Sequence, residues 1–135
     1  MFSRSSFYYF ITPLLIVMMA TATYAKDFII YSIAQELPMG YAKEKKIKNY
    51  YVNIGKAQGI KDGTMLDVFR IQSELNPYES NKRYSYKIKI GEMKVIHSDQ
   101  EAAIARIEKM RDDEDLPIFE FQDLIIGDQV SVHVK

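Results

Sequence analysis

From Asn49 onward the chain alternates apolar and polar residues with a period of two, and glycines punctuate the pattern. Tyr50, Val52 and Ile54 alternate with Asn49, Tyr51 and Asn53. A strand with one face buried repeats in this way, because successive side chains point to opposite sides of a sheet. Gly55, Gly59 and Gly63 follow in the run IGKAQGIKDG, with Asp62-Gly63 as a tight-turn pair. Thr64–Ile71 is the next apolar strand. The spacing leaves no room there for a long helix, and the chain is constrained to a mainly β fold.

The longest strand signal runs from Tyr84 to Ser98. Tyr84, Tyr86, Ile88 and Ile90 share one parity, whereas Met93 and Val95 take the other. The switch falls at Gly91, so a glycine bulge is expected there, keeping both halves on one core. Residues 72–83, with Asn76-Pro77 and many polar side chains, read as a loop. A last strand is expected over Gln129–Val134, entered through Gly127-Asp128. A faint echo, with apolar residues at matching offsets after Gly63 and Gly127, is what any two turn-then-strand units give.

Two segments are ambiguous. Residues 99–110 open with Ser98-Asp99-Gln100-Glu101, a capping box, and carry Ala103, Ile107 and Met110 at helical spacing. The same residues alternate as a strand, with Ala103, Ala105 and Ile107 on one face. Phe28–Ile33 reads as an added strand or a short helix within a lead-in segment, residues 26–48.

Residues 1–25 read as an address. Arg4 is their only charge, Phe7–Ala20 is an apolar core, and Thr23-Tyr24-Ala25 approaches the small-x-small pattern of signal cleavage. Cleavage after Ala25 and export to a periplasm are expected. A retained anchor is the alternative, and Tyr8, Tyr9, Pro13, Thr21, Thr23 and Tyr24 weaken it as a span. The expected organisation is a signal over 1–25, the lead-in over 26–48 and one small domain over 49–135.

Composition removes several chemistries. The 135 residues contain no cysteine and two histidines, which excludes disulfide scaffolds, thiolate metal centres and cysteine nucleophiles. Lys plus Arg equals 18, as does Asp plus Glu, and a balanced chain does not point to nucleic acid. Neither a phosphate-binding glycine loop nor a hydrolase or metalloprotease motif is present in the sequence. His97 and His133 stand on strand-like segments far apart in sequence and read as rim residues. Asp112-Asp113-Glu114-Asp115 lacks the spaced ligand loop of a calcium site and reads as a solvated acidic loop. We expect no catalytic residues, no metal and no cofactor.

Two basic stretches remain: Lys43, Lys45, Lys46 and Lys48, and a strip of Lys82, Arg83, Lys87 and Lys89 interleaved with Tyr78, Tyr84 and Tyr86. Edge lysines guard sheets against aggregation, but tyrosine and arginine are also enriched where partners bind. Tyr78, Arg83, Tyr84, Tyr86, Lys87 and Lys89 are therefore the candidate partner-binding residues.

The run from Tyr50 through Asn53-Ile54-Gly55, Gly59-Ile60-Lys61-Asp62-Gly63 and Val68-Phe69-Arg70, followed by Ile90–Val95, Ala102–Ile107 and Ile126-Gly127-Asp128-Gln129-Val130, is similar to the C-terminal domain of flagellar assembly protein T, a periplasmic component of certain flagellar motors. Related glycine turns occur in other envelope β-domains, including a rod-shape protein. The resemblance covers about residues 49–134 and lacks the family's additional N-terminal domains. It implies a small antiparallel β-barrel-like domain in which 100–109 is a strand. Asn53, Gly55, Gly59, Gly63, Gly91, Gly127 and Asp128 would shape its turns and bends. The expected function is a non-enzymatic periplasmic scaffold or accessory protein, with flagellar or pilus components as partners. The alternative is a module that binds peptidoglycan or another wall polymer.

Overall fold

The computed structural model describes residues 26–37, 39–40 and 46–134. The signal expected over 1–25 lies outside them, as do Lys43 and Lys45 of the first basic stretch. Among the described residues no helix is long and apolar enough to cross a membrane.

Within the described residues six strands form one antiparallel sheet: β1 Ile30–Gln35, β2 Lys48–Val52, β3 Met65–Asn76, β4 Lys82–Ser98, β5 Ala103–Met110 and β6 Gln129–Val132. The spatial order is β1-β2-β5-β4-β3-β6. The lead-in thus contributes a strand to the same sheet. The sheet is open. Its edge strands touch only near one end, where Ile30 N donates to Asp128 O at 2.9 Å, Gly127 N to Ile30 O at 2.8 Å and Val130 N to Phe28 O at 2.9 Å.

Period-two side chains build a single core on one face. Ile30, Tyr50, Val52, Leu66, Val68, Ile90, Met93, Val95, Ala103, Ala105 and Val130 are buried from the strands, and Ile54, Ile60 and Leu124 from the connections. Segment 99–110 resolves as a strand from Ala103 onward, not a helix. Its alanines explain why. Tyr50 sits opposite Ala105 and Val52 opposite Ala103, so small residues on a central strand make room for large ones beside them. Pairing on both edges outweighs a helix propensity of a few tenths of a kcal/mol per residue.

The parity switch in β4 is a bulge. Val68 pairs with Gly91 and Phe69 with Lys89, leaving Ile90 as the extra residue. A Cβ on Gly91 would lie 2.8 Å from the Lys109 carbonyl oxygen, so the neighbouring strand passes where only hydrogen fits. The loop expected over 72–83 is mostly strand: Gln72–Asn76 completes β3, Lys82 opens β4, and only Pro77–Asn81 turns. This stretch is mostly polar because both of its faces meet water, so the buried half of the alternation that marks a strand is missing.

Candidate functional site

The β3–β4 hairpin outruns the sheet. β6 pairs with β3 only from Leu66 to Phe69, and β5 pairs with β4 only from Gly91 to Ser98. Beyond that point Ile71↔Lys87, Gln72↔Tyr86, Ser73↔Ser85, Glu74↔Tyr84, Leu75↔Arg83 and Asn76↔Lys82 pair, among the described residues, with each other alone. At ~3.4 Å per residue this two-stranded arm reaches roughly 20 Å from the body. At its tip Ser80 and Asn81 take the left-handed conformation. Asn76 Oδ1 accepts a hydrogen bond from Tyr78 N at 3.0 Å.

All six candidate partner-binding residues lie on this hairpin, but not on one surface. Alternation divides them. Tyr84 and Tyr86 lie opposite Glu74 and Gln72 on one face, while Arg83 and Lys87 lie opposite Leu75 and Ile71 on the other. Lys82 shares the tyrosine face and lies over the Tyr84 ring, 5.1 Å from its centroid. Lys87 is 4.6 Å from the Phe69 ring centroid. Tyr84 donates its hydroxyl to Glu79, and that bond foremost holds its pKa above the usual phenol value. Ile71, Leu75 and Tyr86 are 45–53% exposed, and Tyr78 is 95% exposed at the tip. Ile71 and Leu75 share the Arg83 face, Tyr86 lies on the other and Tyr78 at the tip, so large apolar side chains stand open on both faces of a narrow ribbon, as they do at interaction sites.

Lys89 belongs to a different group at the arm's root. Its Nζ lies 3.1 Å from Asp67 Oδ1 and 2.9 Å from Glu92 Oε1. His133 Nδ1 is 2.7 Å from the same Asp67 oxygen. Asp67, Glu92 and His133 come within metal-ligating distance of one another, yet the Lys89 ammonium already supplies the cation between the two carboxylates. Hydrogen bonds to Glu92 and then Asp67 raise the Lys89 pKa, and the bond from Lys89 lowers that of Glu92. His133 thus joins a polar cluster that its position in sequence did not reveal. Strand register made it, aligning β3, β4 and the residue after β6.

A second feature escaped the sequence reading. Arg70, on the core face of β3, is 8% exposed and meets Asp128, which is 3% exposed. The guanidinium grips the carboxylate twice, Nε to Oδ1 at 3.0 Å and Nη2 to Oδ2 at 2.9 Å. It also donates to the carbonyl oxygens of Phe121 and, at 2.7 Å, Asp123, and lies 5.1 Å from the Phe119 ring centroid. Asp128 accepts one more bond, from Ile125 N at 2.9 Å. One buried cation therefore ties the long connection before β6 to the base of the arm. Sequence signals existed, in the strand ending Val68-Phe69-Arg70 and in Gly127-Asp128, but 58 residues separate the partners.

The expected turn residues occupy structural positions. Asn53 Oδ1 accepts from Ile29 N at 2.7 Å, fastening the start of β1. Gly55 lets Lys56 N and Ala57 N donate to the carbonyls of Asp99 and Gln100 at 2.8 and 2.9 Å. A Cβ on Gly55 would sit 2.4 Å from the Asp99 oxygen. Gly59, Gly63 and Gly127 have φ of 84°, 89° and 100°. The acidic run forms one exposed 3-10 turn over Asp113–Asp115. No family model matches the chain, and no curated protein matches it.

Proposed function

We propose that this protein is a non-enzymatic periplasmic scaffold or accessory protein of an envelope machine, with a flagellar motor or basal body the first candidate and a pilus or secretion apparatus the next. The body, read as barrel-like from the bonds joining β1 to the start of β6, would serve as the rigid mount, and the arm as the docking element. One observation carries the reading. Six residue pairs extend past the sheet with neither edge covered by a third strand among the described residues; they present Ile71, Leu75 and Tyr86 to solvent, and their turn presents Tyr78. A two-stranded ribbon is marginal by itself in water, so a long one gains from a partner that buries it.

The test is photo-crosslinking in intact cells from position 78 or 86, with position 61 on the opposite end as control. Recovery of the same motor or pilus component from both arm positions, and not from 61, supports the reading. Equal capture from all three positions refutes docking through the arm.

A second reading, a wall-polymer module, is favoured by Tyr31 and Tyr51. Their rings lie 6.4 Å apart at 52°, beside a cleft of about 180 Å³ that His97 and Asp99 also line. Sugar rings pack on such aromatic faces. Pelleting with purified sacculi that is lost in Tyr31→Ala/Tyr51→Ala would place this reading first.

A further inference from the structure

Among the described residues the arm has two free edges, and they differ. The free edge of β3 begins beside the 119–128 connection that Arg70 holds against the sheet. The free edge of β4, from Lys82 to Ile88, begins where β5 stops: Met110 pairs with Gly91, and Arg111 N donates to Ile90 O at 3.0 Å. A shallow cleft of about 270 Å³ opens at that notch, lined by Lys89, Gly91, Glu92, Lys109 and Arg111. A strand laid on the β4 edge would continue the line of β5 along the arm.

Its chemistry can be read from the side chains it would neighbour. Lys82, Arg83, Lys87, Lys109 and Arg111 make no salt bridge among the described residues, while Lys89 is neutralised by Asp67 and Glu92. Along the edge Arg83 and Lys87 occupy one face, and Tyr84 and Tyr86 the other. An added strand also sends its side chains alternately to the two faces. Acidic residues at every second position would lie beside Arg83 and Lys87, and apolar residues between them would lie beside Tyr84 and Tyr86. Opposite charges directly across a strand pair stabilise it, and like charges oppose it.

We infer that the free edge of β4, residues 82–88, takes an extended partner segment that alternates acidic and apolar residues, added as a strand in line with β5. This rests on the scaffold reading above and specifies its partner's chemistry. The same cations repel a second copy's equally basic edge, so the edge is selective rather than merely sticky.

The test uses the isotopically labelled protein and a blocked peptide of about ten residues alternating Glu with Val, with its Lys-for-Glu counterpart as control. Amide resonances of 82–88 are expected to shift and gain exchange protection with the acidic peptide only. Arg83→Glu/Lys87→Glu should weaken binding by tenfold or more while leaving the spectrum of the body unchanged, and moderate salt should weaken it further. Equal response to both peptides, shifts confined to other surfaces, or no response overturns strand addition at this edge. Self-association of the free protein through 82–88 overturns it in favour of a second copy. If the peptide fails while positions 78 and 86 still crosslink a motor or pilus component, docking through the arm stands and only the mode of engagement is wrong.

Discussion

Arg70→Met should be the most damaging single change in this fold. The substitution keeps the length and apolar stem of the side chain but removes the guanidinium. Asp128, 3% exposed, is then left with one backbone donor, Ile125 N. The carbonyls of Phe121 and Asp123 lose a donor as well. Removing one member of a buried ion pair costs about 3–5 kcal/mol, chiefly because the survivor is stranded. Against a typical total of about 5–15 kcal/mol, that is a large share of the fold. At roughly 4–8 °C per kcal/mol for a domain of this size, the melting temperature should fall by at least ~12 °C. The double variant Arg70→Met/Asp128→Asn removes the stranded charge too. It should be more stable than the two single losses added together, with a coupling of about 2 kcal/mol. Urea unfolding followed by circular dichroism measures both quantities. Arg70→Lys retains a charge without the two-pronged grip and supplies a folded intermediate case if Arg70→Met does not fold. A loss below ~1 kcal/mol for Arg70→Met, or strict additivity in the cycle, would refute the claim that this pair fastens the 119–128 connection.

Gly55→Ala should cost about 1–3 kcal/mol or more, because its Cβ would meet backbone of the 99–102 loop and not a movable side chain; an unchanged thermal melt would contradict this. A Cβ on Gly63 would meet nothing within 4 Å, so the cost of Gly63→Val should be chiefly backbone strain, about 1–2 kcal/mol or somewhat more for a β-branched residue. Gly63→Asn should recover most of that in the same assay. Tyr50 is buried with no hydrogen-bond partner for its hydroxyl among the described residues. Burial, and next the charge of Asp123, push its pKa up to about 12 from 10.0. The folded state thus favours the neutral phenol: its contribution is complete below pH 10 and declines as pH rises from 10 to about 12. Tyr50→Phe should flatten that alkaline decline and leave neutral-pH stability equal or up to ~1 kcal/mol higher; a steeper alkaline decline would count against it. Tyr86→Ala on the arm should cost under ~1 kcal/mol, and a loss above ~2 kcal/mol in urea would mean that the arm is part of the core.

The body of this protein is legible in its sequence to the extent that its strands have two unlike faces. Tyr50, Val52 and Ile54 announce the core because Asn49, Tyr51 and Asn53 alternate with them. The parity change at Gly91 announces the bulge for the same reason. Asp62-Gly63 and Gly127 mark turns because their backbone conformations are local. The arm was half hidden. Its tyrosines and cations stood out, but a ribbon with water on both sides has no buried face to set a period, and Gln72–Asn76 passed for loop. Ala103–Met110 was ambiguous because alanine favours helices locally, and only Tyr50 and Val52 on the neighbouring strand decide that small residues belong there. The turn at Gly127-Asp128 was legible, but the pairing of Arg70 with Asp128, and of Asp67 with Lys89, Glu92 and His133, was not. Each depends on which strands lie side by side and in what register, a property of the whole sheet that residues as far as 58 and 66 positions apart acquire only when it forms.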